Sequence, residues 1–348
     1  MNKENSKKYV DYILEQAKEV LAIDSPTGFT KKAAEYVIDQ YEKMGYKVTQ
    51  TTKGGILVDL GGENEEEGLV LAAHIDTLGA IVSQIKGNGN LEVSPLGGMN
   101  PNNAEAENCR IYTRFDGVYE GTFQLNNASI HVNGEYNDTK RTWSTVEIVL
   151  DENVSSADDA KKLGIQTGDI VAFDPRTRIT KDGYIKSRFL DDKLSVAIIL
   201  GYAKKLKDEG RKPARKTYVH VTVYEEVGHG GSASIPEDIT EAISVDMGCV
   251  GAGLTCTERQ VSICAKDSGG PYSYEIVTAL VEAAKKAGAD YAVDIYPFYG
   301  SDVEATLRAG HDIRHGLIGA GVYASHGYER SHKNGADSAM KLIDAYIG

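Results

Sequence analysis

An α/β domain interrupted by a β-rich insertion is the fold class this sequence predicts, and three observations predict it. Helix and strand patterns alternate before about residue 80, lapse into short β-type runs until about residue 180, and then resume to the end of the 348-residue chain. Alternating strands and helices imply a sheet flanked by helices. The two outer stretches therefore read as one domain, 1–79 with 181–348, around an insertion at 80–180.

The first segment is helical. Val10, Ile13, Leu14, Ala17 and Leu21 recur at helical spacing, as do Ala34, Val37, Ile38, Tyr41 and Met44, with Gly45 as a stop. YKVTQT, GILVDL and GLVLAAH read as strands, and the last is apolar throughout, as expected of a strand covered on both faces. Within the insertion, CRIYTRF, GVYEGTFQL, ASIHVNG, TVEIVL and DIVAFDP are β-type runs between turn signals, and SSADDAKKLG holds one short serine-capped helix. Beyond residue 183, DDKLSVAIILGYAKKLKDEG predicts a helix, while KTYVHVTVYEE, EAISVDM and QVSICAK predict strands. SYEIVTALVEAAKKAG is a helix, YAVDIY and GLIGAG are strands, and GADSAMKLIDAYI closes the chain as a helix.

Composition narrows the function classes. With 51 acidic against 38 basic residues the formal charge is -13, which argues against the basic surface that non-specific nucleic-acid binding needs. No apolar run approaches the roughly 18 residues of a membrane span, and the opening MNKENSKKYV lacks a secretory apolar stretch. Cys109, Cys249, Cys256 and Cys264 form no C-x-x-C pair and fit no zinc-finger spacing. The expectation is a cytoplasmic protein with reduced thiols and with neither nucleic acid nor membrane as partner.

Polar residues gather where strands end. VLAAHID puts His74 and Asp76 on one face at the end of a buried strand, and a carboxylate on the second ring nitrogen is the usual support of a metal-binding histidine. SRFLDDKLS puts Asp191 and Asp192 at a loop-to-helix junction, ISVDMG puts Asp246 at a strand end, and ASHGYER puts His326 in a glycine-flanked loop. In VTVYEEVGHGG, Glu225 and Glu226 stand side by side at the end of a strand. One of the two is expected to face inward, where an unpaired carboxylate is costly. Singly, each motif has an ordinary explanation: a helix cap for LDDK, a solvated strand end for EEVG, a turn cap for Asp246, a loop histidine for His326. Together, three carboxylates and two imidazoles on one rim would repel or stand unpaired without cations. Ligands of open α/β sheets collect at that rim, the carboxyl ends of the strands.

In that order, His74-x-Asp76, LDDK, EEVG, VDMG and SHGYE resemble the dinuclear-metal aminopeptidases that assemble as tetrahedral (TET-type) dodecamers. That family includes glutamyl aminopeptidases, deblocking aminopeptidases and proteins historically labelled cellulase M. The similarity runs over nearly the whole chain, and YIKSRFLDDK, SICAKDSGGPY and IYPFYGSD resemble the deblocking branch in particular. The resemblance implies a three-layer α/β/α metallopeptidase domain, with the insertion as a small β-rich, PDZ-like dimerisation barrel. It implies a metalloaminopeptidase acting on short peptides, two divalent ions per subunit (zinc or cobalt, or manganese), and a homo-oligomer of dimers built into a dodecamer. Position by position, it implies His74, Asp191 and Asp246 on one metal and Asp191, Glu226 and His326 on the other, with Asp191 as the bridge. Asp76 would orient His74, Glu225 would be the general base, and Asp192 would follow Asp191 through a strained peptide bond. Three ligand carboxylates and a bridging hydroxide roughly balance two divalent cations. Metal coordination lowers the pKa of water towards ~7, and Glu225 could pass the proton to the leaving amine.

Two stretches depart from the family's usual wording. His229 in EEVGHGG is read as a loop residue, and FYGSDVEA stands where G-G-T-D-A is more usual, which leaves open whether Ser301 and Asp302 contact substrate. Lys266 is either an attractor for an acidic first residue or a surface lysine; broad cleavage after neutral residues is the expectation. Two further readings are weighed. A glycoside hydrolase would need only two carboxylates and no metal, and a non-catalytic metal- or peptide-binding assembly protein would need no base. The paired histidines oppose the first, and the complete ligand set opposes the second.

Overall fold

The computed structural model describes residues 3–348. The chain forms two compact units, Thr77–Pro175 and the flanking segments up to Asp76 and from Arg176 to Gly348.

Among the described residues, the larger unit holds a mixed sheet of twelve strands. At its centre, Asn64–His74 lies parallel to Arg215–Thr222 and to Ile239–Val245, and the last of these lies parallel to Arg314–Tyr323. GLVLAAH is buried from Gly68 to His74, as its unbroken apolar run requires. Antiparallel pairing flanks this core: Ile56–Gly61 on Arg215–Thr222 at one side, and Val261–Lys266 on Arg314–Tyr323 at the other. The parallel set places strand ends together. Thr222 is in register with His74, and Ser244, two residues before Asp246, is in register with Ala72, two residues before His74.

The helix Leu190–Glu209 carries the LDDK motif and is buried along most of its length. It packs against Lys3–Leu21, whose Ile13, Ala17, Val20 and Leu21 form the buried face, at the spacing of an amphipathic helix. Gly201 permits the approach, because a Cβ there would stand 2.4 Å from Ile13 Cγ1. No helix among the described residues is long and apolar enough to cross a membrane.

The smaller unit is a closed barrel of six strands, Gly79–Ile85, Leu91–Leu96, Val146–Leu150, Val118–Leu125, Glu107–Tyr112 and Ile170–Phe173 in spatial order. Its interior includes Phe123 and Phe173, edge to face at 5.3 Å. Ser156 caps the short helix Ala157–Lys162 by accepting from Asp159 N. The first two barrel strands carry β-alternation that the sequence reading passed over.

Two local expectations fail. ASIHVNG is not a strand: Val132 N and Asn133 N both donate to Ser129 O, a turn, and Ile130 and Val132 are exposed. Alternation there finds no partner strand. The strand expected to run to Glu226 ends at Thr222, because Tyr224 adopts a left-handed backbone (φ 67°) and Glu225–Val227 forms a short 3-10 turn. The period-2 rule therefore does not apply to the two glutamates, and both turn the same way.

Candidate metal centre

Five side chains converge at the carboxyl ends of the parallel strands. His74, Asp191 and Asp246 each offer a ligand atom within 4.8 Å of the others, and so do Asp191, Glu226 and His326. Asp191 belongs to both groups: its Oδ1 lies 3.1 Å from His74 Nε2 and its Oδ2 lies 3.4 Å from His326 Nε2. Glu226 Oε2 lies 3.7 Å from His326 Nε2, and Glu225 Oε2 lies 3.7 Å from His74 Nε2. The Asp191–Asp192 peptide is cis.

Carboxylates that face no partner ring pin the backbone. Asp192 Oδ2 accepts from His74 N at 3.1 Å. Asp76 accepts from Glu225 N at 3.1 Å, Glu226 N at 3.4 Å and the Thr27 hydroxyl at 2.8 Å. His74 Nδ1 meets residue 76 through its main-chain carbonyl at 2.9 Å, while the Asp76 carboxylate stands at 3.7 Å. The support expected of the carboxylate thus comes from the backbone, because three donors on the other side draw the carboxylate away. Asp76 fixes the glutamate turn more directly than it fixes the histidine.

The electrostatics are those of a site short of positive charge. Burial, and then the charge of Asp191, pushes Asp246 up to about 7. Burial also holds Glu226 and Glu225 well above the ordinary carboxylate range. Asp191 goes the other way: burial works to raise it, and the hydrogen bonds to His326 and His74 outweigh burial and leave it low. Both imidazoles respond to the acidic surroundings. Burial opposes their charge, yet contact with Asp191 holds His74 well above its usual value and His326 at about 10. Glu226 Oε1 is buried with no hydrogen-bond partner, a state that costs about 1–3 kcal/mol. A donor set of two imidazoles and three carboxylates with an orphaned oxygen is one that divalent cations would complete.

Asp191, Glu225, Glu226, Asp246 and His326 line a cavity of about 490 Å³, together with Ser268, Phe298, Tyr299, Ser301 and Arg308. Tyr299 donates to Met247 O at 3.1 Å, and Phe298 is almost fully exposed. Arg308 lies 3.7 Å from Glu304. Ser301 lines the cavity, whereas Asp302 is buried behind it, accepting the Thr222 hydroxyl at 2.7 Å. Lys266 does not line the cavity; it donates to Asp267 O. His229 stacks on Tyr224 at 5.2 Å. The sequence reading passed over Phe298, Tyr299 and Arg308, although IYPFYGSD held the first two. It also gave Glu329 of SHGYER no role, although its two oxygens accept from Asp191 N and His326 N.

Residues 54–342 match the family model described as M42 glutamyl aminopeptidase. The chain is 41% identical over 334 residues to "Putative aminopeptidase YhfE" of Bacillus subtilis (strain 168), covering 96% of each chain. Its fold is similar to that of the aminopeptidase APDkam598 from the archaeon Desulfurococcus kamchatkensis, with a TM-score of 0.86 at 22% identity over 98% of this chain and 95% of the other. It is also similar to that of the Pyrococcus horikoshii TET1 peptidase, whose structure title states that it can assemble into a tetrahedron or a large octahedral shell. There the TM-score is 0.85 at 21% identity, over 96% of this chain and 99% of the other.

Proposed function

The chain belongs to the M42 glutamyl aminopeptidase family, and on that premise we propose that it releases N-terminal residues from short peptides at a centre of two divalent ions, with Glu225 as general base. One observation carries the reading: Asp191 presents one carboxylate oxygen to His74 and the other to His326, the disposition of a bridging ligand. His74, Asp191 and Asp246 would hold one ion, and Asp191, Glu226 and His326 the other. Zinc, cobalt and manganese all suit a donor set of imidazole and carboxylate. Bound there, such ions polarise a carbonyl and lower the pKa of water.

The remaining work falls to the chain. Glu225, held by Asp76 through its backbone N–H, takes a proton from the attacking water and delivers it to the departing amine. Neighbouring carboxylates supply negative charge for the free α-amine, which confines cleavage to the first residue. Phe298 and Tyr299 give the cavity aromatic surface, and Arg308 there carries its own counter-charge in Glu304, so neutral first residues are favoured. Four free cysteines support a cytoplasmic location. Assembly into a dodecamer, with the barrel unit forming the dimer contact, is proposed from the assembling relative.

Glu225→Gln tests the base. The variant should bind metal as the wild type does and lose about 10²–10⁴-fold in kcat. Turnover near the wild-type rate would remove Glu225 from that role.

A further inference from the structure

We propose that Glu329 is a positioning residue of the metal centre, whose buried carboxylate sets Asp191 and His326 together by holding both of their main-chain N–H groups. The inference rests on the dinuclear reading above. Glu329 is 2% exposed. Its Oε2 accepts from Asp191 N at 3.1 Å and its Oε1 accepts from His326 N at 3.0 Å. Both oxygens are thus turned to backbone donors, and Glu329 stands outside the two groups of side chains that could hold an ion.

Asp191 and His326 reach Glu329 from different parts of the chain. Asp191 opens a helix, just after Phe189 in a left-handed conformation (φ 68°). His326 lies in the loop between strands, itself left-handed (φ 60°), with a side chain 38% exposed. Such a backbone is uncommon for a residue other than glycine, and here its N–H is held by a hydrogen bond. Glu329 supplies that hold from a strand whose register is fixed, since it pairs with Ser187 four residues before Asp191. Both main-chain N–H groups converge on this one buried carboxyl group. One side chain therefore fixes the spacing between the bridging ligand and a terminal ligand.

An asymmetry follows from this connectivity. The ion held by Asp191, Glu226 and His326 would have two of its three ligands hung on Glu329, and the other ion only one. In Glu329→Gln the amide would aim N–H at one of the two backbone donors, so one ligand segment loses its acceptor. Residues that orient metal ligands typically govern about 10- to 100-fold in affinity.

The test uses the full chain, stripped of metal and titrated with Co(II) against a chromophoric chelator, with the visible spectrum of bound cobalt recorded at each step. Wild type should take up two ions. Glu329→Gln should weaken one of them by about 10- to 100-fold, change its spectrum, and alter the other less. Glu329→Asp, which keeps the charge and withdraws the oxygens by one methylene, gives the same readout if glutamine prevents folding. Ser331→Ala is the control: it removes a buried hydrogen bond to Gly321 O on the same strand without touching a ligand segment, and should leave both affinities as they are. Unchanged cobalt binding in both Glu329 variants would overturn the proposal. So would an equal loss in Ser331→Ala, which would mark the effect as general loosening. A wild type that fails to bind two ions would overturn the dinuclear reading itself, and the positioning role with it.

Discussion

Raising the pH from about 6.5 to about 8.5 should destabilise the protein once its metal is stripped. In the metal-free fold burial opposes the charge of His74, but the contact with Asp191 outweighs it and holds the imidazole well above the usual 6.5. Burial, then the charge of Asp191, lifts Glu329 from 4.5 to about 8. Each keeps a proton in the folded state that the unfolded chain has released, so stability falls as pH rises towards the folded values. His326 acts in the same sense, but its partial exposure lets solvent screen it. Lys193 opposes them, because burial lowers its amine to about 7 and above that pH the unfolded chain carries the extra proton. Glu225 and Glu226, held high by burial, act in the same sense as His74 and Glu329, so against Lys193 the folded state keeps a net excess of at least about one proton. At about 1.36 kcal/mol per pH unit for each proton, the window costs at least about 3 kcal/mol, or about 4 °C in Tm for a chain of this length. The lower limit matters: below 6.5, His220, which burial lowers to about 4, begins to act with the opposite sign. Metal loading should flatten or reverse the slope, since ligands must be deprotonated to bind. Thermal melts at three pH values, with chelator and with added metal, measure both slopes. A chelated protein whose Tm holds steady or rises across the window would refute the charge assignment.

Asp76→Asn keeps the shape of the side chain but replaces one of the oxygens that hold the glutamate turn. It should lower kcat by about 10- to 100-fold with KM and metal content nearly unchanged, as steady-state kinetics and metal analysis would show. Gly319→Ala should be costly, because its Cβ would stand 1.7 Å from Asp246 O. A stability loss at or above about 1–3 kcal/mol in a urea melt, with weakened metal binding, is the expected outcome.

Much of the larger unit could be read from sequence, because its strands and helices are buried elements whose apolar periods survive intact. GLVLAAH and the helix beginning at LDDK are of this kind. The five candidate ligands could be read as a set because each stands at or just past an element end, where a polar residue interrupts an apolar run. What escaped notice was set by backbone conformation and tertiary reach. Tyr224 turns the chain after Thr222 through a left-handed residue that no period reveals. The carboxylate of Asp76 prefers backbone donors about 150 residues away in sequence to the ring of His74. Glu329 sits in a short strand of four residues, too brief to show a pattern, and its partner Asp191 lies 138 residues away in sequence. The run ASIHVNG misled for the converse reason, since alternation without a partner strand makes no sheet.

Metal content, measured together with hydrolysis of aminoacyl-p-nitroanilides bearing Leu, Ala, Glu and Lys, tests the central claim most directly. About two ions per chain, with release of p-nitroaniline lost in chelator and restored by added metal, is the predicted result. Hydrolysis that persists undiminished in chelator with no metal bound would contradict it.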